Sequence, residues 1–258
     1  MDLIKVIILG IIQGVTEFLP ISSSGHLVIF QQILGLGQEE LTLDIFLHFG
    51  TVVPILIIFR KDVLDIFTFK NKRLSWLIIL GMIPTGLMGI LLKDFFTGLF
   101  SSVRVVGFML LVTGLIIYFA EKVTKAEYNL KSMKWYHGII VGITQGMAII
   151  PGISRSGSTI SAALFQGLDR ESAARYSFLL SAPVIMGAGI LEVKDIVSIG
   201  IGDLSWLLIG IGTMAASISG YFAIKYLLKI LHKGKLNIFS YYCWTLGIIV
   251  IFLSGISS

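Results

Sequence analysis

In this chain of 258 residues, 55% are hydrophobic, only 14% are charged, and the mean hydropathy is +0.92. A water-soluble domain carries about 25% charged residues, so the polar surface needed to coat a soluble globule is missing, and the same figures exclude disorder and fibrous repeats. The net charge of +5 then points to the cytoplasmic loops of a polytopic membrane protein rather than to nucleic acid.

Residues 3–36 come first, an apolar region interrupted near its middle by Pro20 and Ser22-Ser23-Ser24-Gly25. Lys5, Glu17 and Pro20 without a small-residue cleavage site argue against a cleavable signal. Three uninterrupted apolar runs follow, at 43–59, 74–92 and 104–120. The broken pattern returns at 135–168, with Pro151-Gly152 and Ser154-Arg155-Ser156-Gly157, and three more runs close the chain at 172–192, 204–224 and 236–256. A spanning helix needs about 20 apolar residues, so the six unbroken runs are expected to cross the bilayer. Irregular backbone survives at membrane depth only where protein or a wet cavity surrounds it. The two broken regions are therefore expected to dip in and return as re-entrant helix pairs. The fold class expected is all-α integral membrane, one domain over 1–258.

Charge placement supports this. Segments 60–73, 121–134, 169–175 and 225–235 hold 5, 4, 2 and 4 Lys/Arg, fifteen of the twenty in the chain. If 135–168 enters and returns, all four lie on one side, cytoplasmic by the positive-inside rule, and both termini lie outside. Cys243, the one cysteine, excludes an intrachain disulfide and sits in an apolar run as a packing residue.

Shifting the chain by 132 residues lays Gly10-Ile11-Ile12-Gln13-Gly14 on Gly142-Ile143-Thr144-Gln145-Gly146 and Ile21-Ser22-Ser23-Ser24-Gly25 on Ile153-Ser154-Arg155-Ser156-Gly157; eight of sixteen positions from 10 to 25 are identical. Each half, about 1–122 and 133–258, would hold one re-entrant pair and three crossings. An odd number of crossings inverts the second copy, so the broken helices of two interlocked inverted repeats converge near the midplane.

Glu17 and Arg155 stand far from other formal charges in their regions, and an ionisable residue at that depth costs about 2.5–3.5 kcal/mol, which makes function the default reading. Serine turns that open helices offer amides and hydroxyls to anions, and Arg155 offers a planar fork matched to phosphate. Candidate functional residues are thus Glu17, His26, Arg155 and the serines of both turns. Candidate substrate-binding residues are Gln13, Ser22, Ser24, Gly25, Ser154, Ser156, Gly157 and Thr159. His48 and His137 lie in other apolar runs and read as structural, and His232 belongs to a basic segment. No His/Asp/Glu spacing suits a metal site, so no protein-held cofactor is expected, which leaves a divalent cation, Mg2+ or Ca2+, riding on a diphosphate substrate.

Glu17-Phe18-Leu19-Pro20-Ile21-Ser22-Ser23-Ser24-Gly25-His26 and Pro151-Gly152-Ile153-Ser154-Arg155-Ser156-Gly157, in this order, closely resemble the bacterial undecaprenyl-diphosphate phosphatase family associated with bacitracin resistance. The resemblance spans the chain. It implies an integral hydrolase of the bacterial cell membrane that converts the C55 isoprenyl diphosphate carrier to the monophosphate for peptidoglycan synthesis. It places the family's second acidic position on Glu17, its serine nucleophile on Ser23, its histidine on His26 and its phosphate-binding arginine on Arg155. The first acidic position, often glutamate, is Gln13 here, which loads the acid–base role onto Glu17 or His26. Two nucleophiles stay open, Ser23 and His26, and the rival from another class is a carrier or flippase of polyprenyl phosphate. The partners implied are the polyprenyl diphosphate lipid and the bilayer; no sequence feature sets an oligomeric state.

Overall fold

Long apolar runs with few breakers close their backbone hydrogen bonds within the segment, the requirement that a lipid environment imposes. A computed structural model describes residues 2–36, 41–92, 102–123, 125–199, 205–234 and 236–256, and among these described residues there are eleven helices and no strand. These are α1 (Leu3–Phe18), α2 (Ser23–Ile33), α3 (Leu41–Ile58), α4 (Arg60–Phe67), α5 (Lys72–Leu91), α6 (Val103–Val123), α7 (Trp135–Met147), α8 (Arg155–Phe165), α9 (Arg170–Ile199), α10 (Trp206–His232) and α11 (Asn237–Ile256). α5, α6, α9, α10 and α11 are each long and apolar enough to cross a membrane, and α3, bent by 95° onto α4, makes a sixth candidate with it. The expected crossings 43–59, 74–92, 104–120, 172–192, 204–224 and 236–256 fall on these helices.

The boundaries differ where basic residues extend a helix. Arg60 to Phe67, expected as part of a connection, forms the short α4, and α10 continues through Lys225 and Lys229 to His232. Lysine stems can lie along apolar surface while their ammonium groups stay in water, and cations at a helix C-terminus complement its dipole.

Packing is close where glycines face carbonyl oxygens. α1 runs against α10, where a Cβ on Gly14 would lie 2.2 Å from the Ala216 oxygen. α7 runs against α5, where a Cβ on Gly142 would lie 2.2 Å from the Gly81 oxygen, and Thr85 donates to the Gly142 carbonyl across 2.7 Å. Small residues let helix backbones approach where lipid gives no hydrophobic drive for association. Outward, Ile83, Leu87, Ile218, Phe222, Ile248 and Phe252 are each more than half exposed, an apolar surface that suits acyl chains.

Both broken regions begin and end side by side. Lys5 Nζ donates to the Leu34 carbonyl at 2.9 Å. Tyr128 N–H donates to the Gly167 carbonyl at 2.9 Å and Asp169 N–H to the Tyr128 carbonyl at 2.8 Å, closing 135–168 at its mouth. Arg170 pairs with Glu121 at 2.6 Å, Arg175 with Asp62 at 2.7 Å, and Arg73 donates to the carbonyls of Lys131 and Met133. Segments 60–73, 121–134 and 169–175 therefore share one face, and His232 of the fourth lies 4.0 Å from Glu171 on it.

Candidate active site

Pro20 cannot continue α1, and the residue before a proline is driven to extended backbone; Leu19 accordingly ends α1 at φ −69°, ψ 140°. The chain then turns through Ser22 at φ 71° and enters α2, with the Ser22 hydroxyl accepting from Gly25 N–H at 3.2 Å. The second turn repeats this around Gly152, at φ 93°, and Ser154, whose hydroxyl accepts from Gly157 N–H at 3.0 Å. Both serines are helix N-caps. The turns touch: a Cβ on Gly25 would lie 3.2 Å from Gly152 Cα, and the Ser156 hydroxyl donates to the Leu19 carbonyl at 3.0 Å. Thr113 of α6 fastens the second turn, accepting from Ser154 N–H and donating to the Gly152 carbonyl, each at 3.0 Å.

Where the turns meet, Glu17 gathers the charged and polar groups. Its Oε1 accepts from Arg155 at 2.6 Å, and its Oε2 accepts from Ser23 Oγ at 2.5 Å and from Gln13 Nε2 at 3.0 Å. Glu17 and Gln13 are buried, Ser23 and Ser24 are partly open, and Arg155 keeps 16% of its side chain exposed. One nitrogen of Arg155, Nη1, is buried without a hydrogen-bond partner. Such a group is costly to leave unmet and marks a place for an anion's oxygen. Chemically, the cluster joins a hydroxyl to a base and aims a cationic fork beside it, with the N-termini of α2 and α8 facing the same spot.

A family model described as Bacitracin resistance protein BacA matches residues 6–249. The chain belongs to the BacA family. Proteins named undecaprenyl-diphosphatase are 63% identical in Halothermothrix orenii, over 99% of this chain and 100% of the relative, and 48% identical in Carboxydothermus hydrogenoformans, over 99% and 98%. One in Alkaliphilus metalliredigens is 44% identical over 98% and 99%.

Within this BacA-family chain, the expected residues divide into two groups. Glu17, Ser23, Arg155 and Gln13 form the cluster, and Ser24, 3.4 Å from Ser22 Oγ, lies at its rim. Ser22, Ser154, Ser156 and Thr159 turn their hydroxyls to the protein: two cap helices, one holds Leu19, and Thr159 donates to the Arg155 carbonyl at 2.8 Å and pairs with Ser177 at 2.6 Å. Gly25 and Gly157 supply the backbone N–H groups that those caps need. His26 is buried with both ring nitrogens engaged, Nδ1 on the Ser22 carbonyl at 2.7 Å and Nε2 on the Tyr242 hydroxyl at 2.8 Å. The carbonyl can only accept, so Nδ1 carries the proton and Nε2 accepts from Tyr242.

His48, expected to be structural, instead stands beside the cluster with Nε2 3.9 Å from Glu17 Oε2, while Tyr242 of α11 reaches His26. An ionisable side chain inside the apolar run of α3 was the available signal for His48; nothing in the sequence pairs Tyr242 with His26. Cys243 is buried, its sulfur 3.7 Å from the Pro20 carbonyl. For a metal, the cluster offers one carboxylate whose oxygens already meet Arg155, Ser23 and Gln13, and among the described residues no three His, Cys, Asp or Glu side chains converge. Two cavities of about 400 and 420 Å3 lie elsewhere, lined by Arg60, Asp62 and Arg175 in one and by Tyr128, Tyr136 and His137 in the other.

Proposed function

We infer that this chain hydrolyses undecaprenyl diphosphate to the monophosphate and inorganic phosphate at the Glu17–Ser23–Arg155 cluster. Its relatives carry the name of that activity. The single observation that brings the chemistry here is one buried carboxylate shared by a serine hydroxyl and an arginine. Glu17 takes the Ser23 proton as Oγ attacks the terminal phosphorus. The bridging P–O bond breaks, and its electron pair leaves with the lipid monophosphate. Arg155, through the unpartnered Nη1, neutralises charge spread over the phosphoryl oxygens, the main demand of phosphoryl transfer. Ser24 and the free amides at the start of α2 add donors. Water then releases phosphate from Ser23, and Glu17 returns its proton. His26 acts by holding the turn that carries Ser23, because its nitrogens are tied to Ser22 and Tyr242. Any divalent cation enters on the diphosphate as part of the substrate.

In this reading α3, α5, α6, α9, α10 and α11 span the membrane, and α1–α2 and α7–α8 are re-entrant pairs of two interlocked inverted halves, about 1–122 and 133–258. Support comes from the joined mouths of both pairs and from the crosswise packing of α1 on α10 and α7 on α5. The basic face is cytoplasmic by the positive-inside rule, the membrane is the bacterial plasma membrane, and the product rejoins peptidoglycan synthesis, the route by which the family confers bacitracin resistance.

Phosphate release from polyprenyl diphosphate by the purified chain in detergent tests this. Hydrolysis needs no second compartment and proceeds there; a carrier, the other class compatible with inverted repeats, releases none.

A further inference from the structure

His48 has no part in the steps above, yet it is placed for the second of them. Its Nδ1 lies 2.7 Å from the Asp44 carbonyl, which can only accept, so Nδ1 carries a proton, and in the neutral ring the lone pair is on Nε2. Nε2 lies 3.9 Å from Glu17 Oε2, the oxygen that also receives the Ser23 hydroxyl. A base and the nucleophile thus flank one carboxylate oxygen. His48 differs from His26 in two respects: its Nε2 is not engaged by a hydroxyl, and a third of its side chain is open. Asp44 is steadied in turn, since both of its carboxylate oxygens accept from Gln31 Nε2 of α2, at 2.9 and 3.0 Å.

We propose that His48 is the general base of the second half-reaction. Resting on the Ser23 phosphoenzyme of the proposed function, the step is as follows. Nε2 takes a proton from water as the water oxygen bonds to the phosphorus of phosphoserine. The P–Oγ bond breaks, its electron pair stays on Oγ, and Oγ recovers the proton that Glu17 has held since the first step. His48 then loses its extra proton to solvent. The charged groups facing it are Glu17 on α1 and, through Glu17, Arg155 on α8; on its own helix Asp44 lies one turn away. α10 presents the hydroxyls of Thr213 and Ser217 to α3, and on α9 Gly189 meets Phe49, with Glu192 three residues further along.

The test uses purified protein in detergent and polyprenyl diphosphate labelled at its terminal phosphorus, with acid quenching. In His48→Gln the first turnover should release lipid monophosphate near the wild-type rate. Steady-state phosphate release should then fall by about 10²–10⁴-fold, the usual contribution of a general base, while label accumulates on the protein towards one per chain. Added imidazole should restore turnover to His48→Ala. Turnover within twofold of wild type would overturn the proposal, as would slow turnover with neither a first burst nor trapped label. Failure of the underlying reading looks different: Ser23→Ala would then still turn over, or the trapped label would be acid-labile.

Discussion

Arg155 reaches Glu17 with one guanidinium nitrogen and leaves another buried and unpartnered. Lysine keeps the charge but is a compact point charge that cannot serve both directions. Arg155→Lys should therefore lower phosphate release about 100-fold or more, the scale of losing one preorganised donor to a developing anion, measured as kcat in detergent; turnover near wild type would remove Arg155 from the phosphate clamp. Residues of this kind were legible because charge and serine inside apolar runs are expensive, and the repeat set Ser23 and Arg155 in register. That the hydroxyls of Ser154, Ser156 and Thr159 bond to the protein was not legible, because a capping hydroxyl and a ligand hydroxyl look alike in sequence. His48 escaped for another reason. Its partner Glu17 lies on a different helix, and a contact across helices leaves no mark on local spacing.

Among the helices, the contact of α7 with α5 is the most demanding. With the Gly81 oxygen 2.2 Å from where a Gly142 Cβ would stand, neither backbone can yield without parting the helices. Gly142→Leu should cost at least the 1–3 kcal/mol typical of overpacking and lower the unfolding temperature in detergent, whereas Gly86→Ala, at a glycine with open space around it, should leave it nearly unchanged. Equal unfolding temperatures for the two variants would deny that this crossing depends on glycine. Apolar runs located the six candidate crossings, although α9 and α10 continue well past the expected ends at 192 and 224. The turn into α4 was not foreseen, because Asp62, Arg60 and Lys61 read as a loop until Arg175 of α9 pairs with Asp62 and gives that turn a fixed partner.

For the molecule as a whole, the charge count and the structure meet at the mouth of 135–168. Its ends are joined through Tyr128, Gly167 and Asp169, so cysteines at Lys131 and Glu171, in a Cys243→Ala background, should report one compartment. A membrane-impermeant thiol reagent should reach neither from outside intact cells; labelling from opposite sides would mean that 135–168 crosses once. The proposed duplication rests on Gln, Ser and Gly positions that repeat where lipid contact would not require them. Crosswise packing of α1 on α10 and α7 on α5 had no local signal, since any apolar face could have met any other. The central claim is that Glu17 from one proposed half and Arg155 from the other work as one catalytic unit, and a double-mutant cycle on phosphate release by Glu17→Gln, Arg155→Lys and both together tests it most directly. Residues acting as a unit are far from additive, so the double variant should be about as slow as the slower single one, whereas losses that multiply would contradict a shared site.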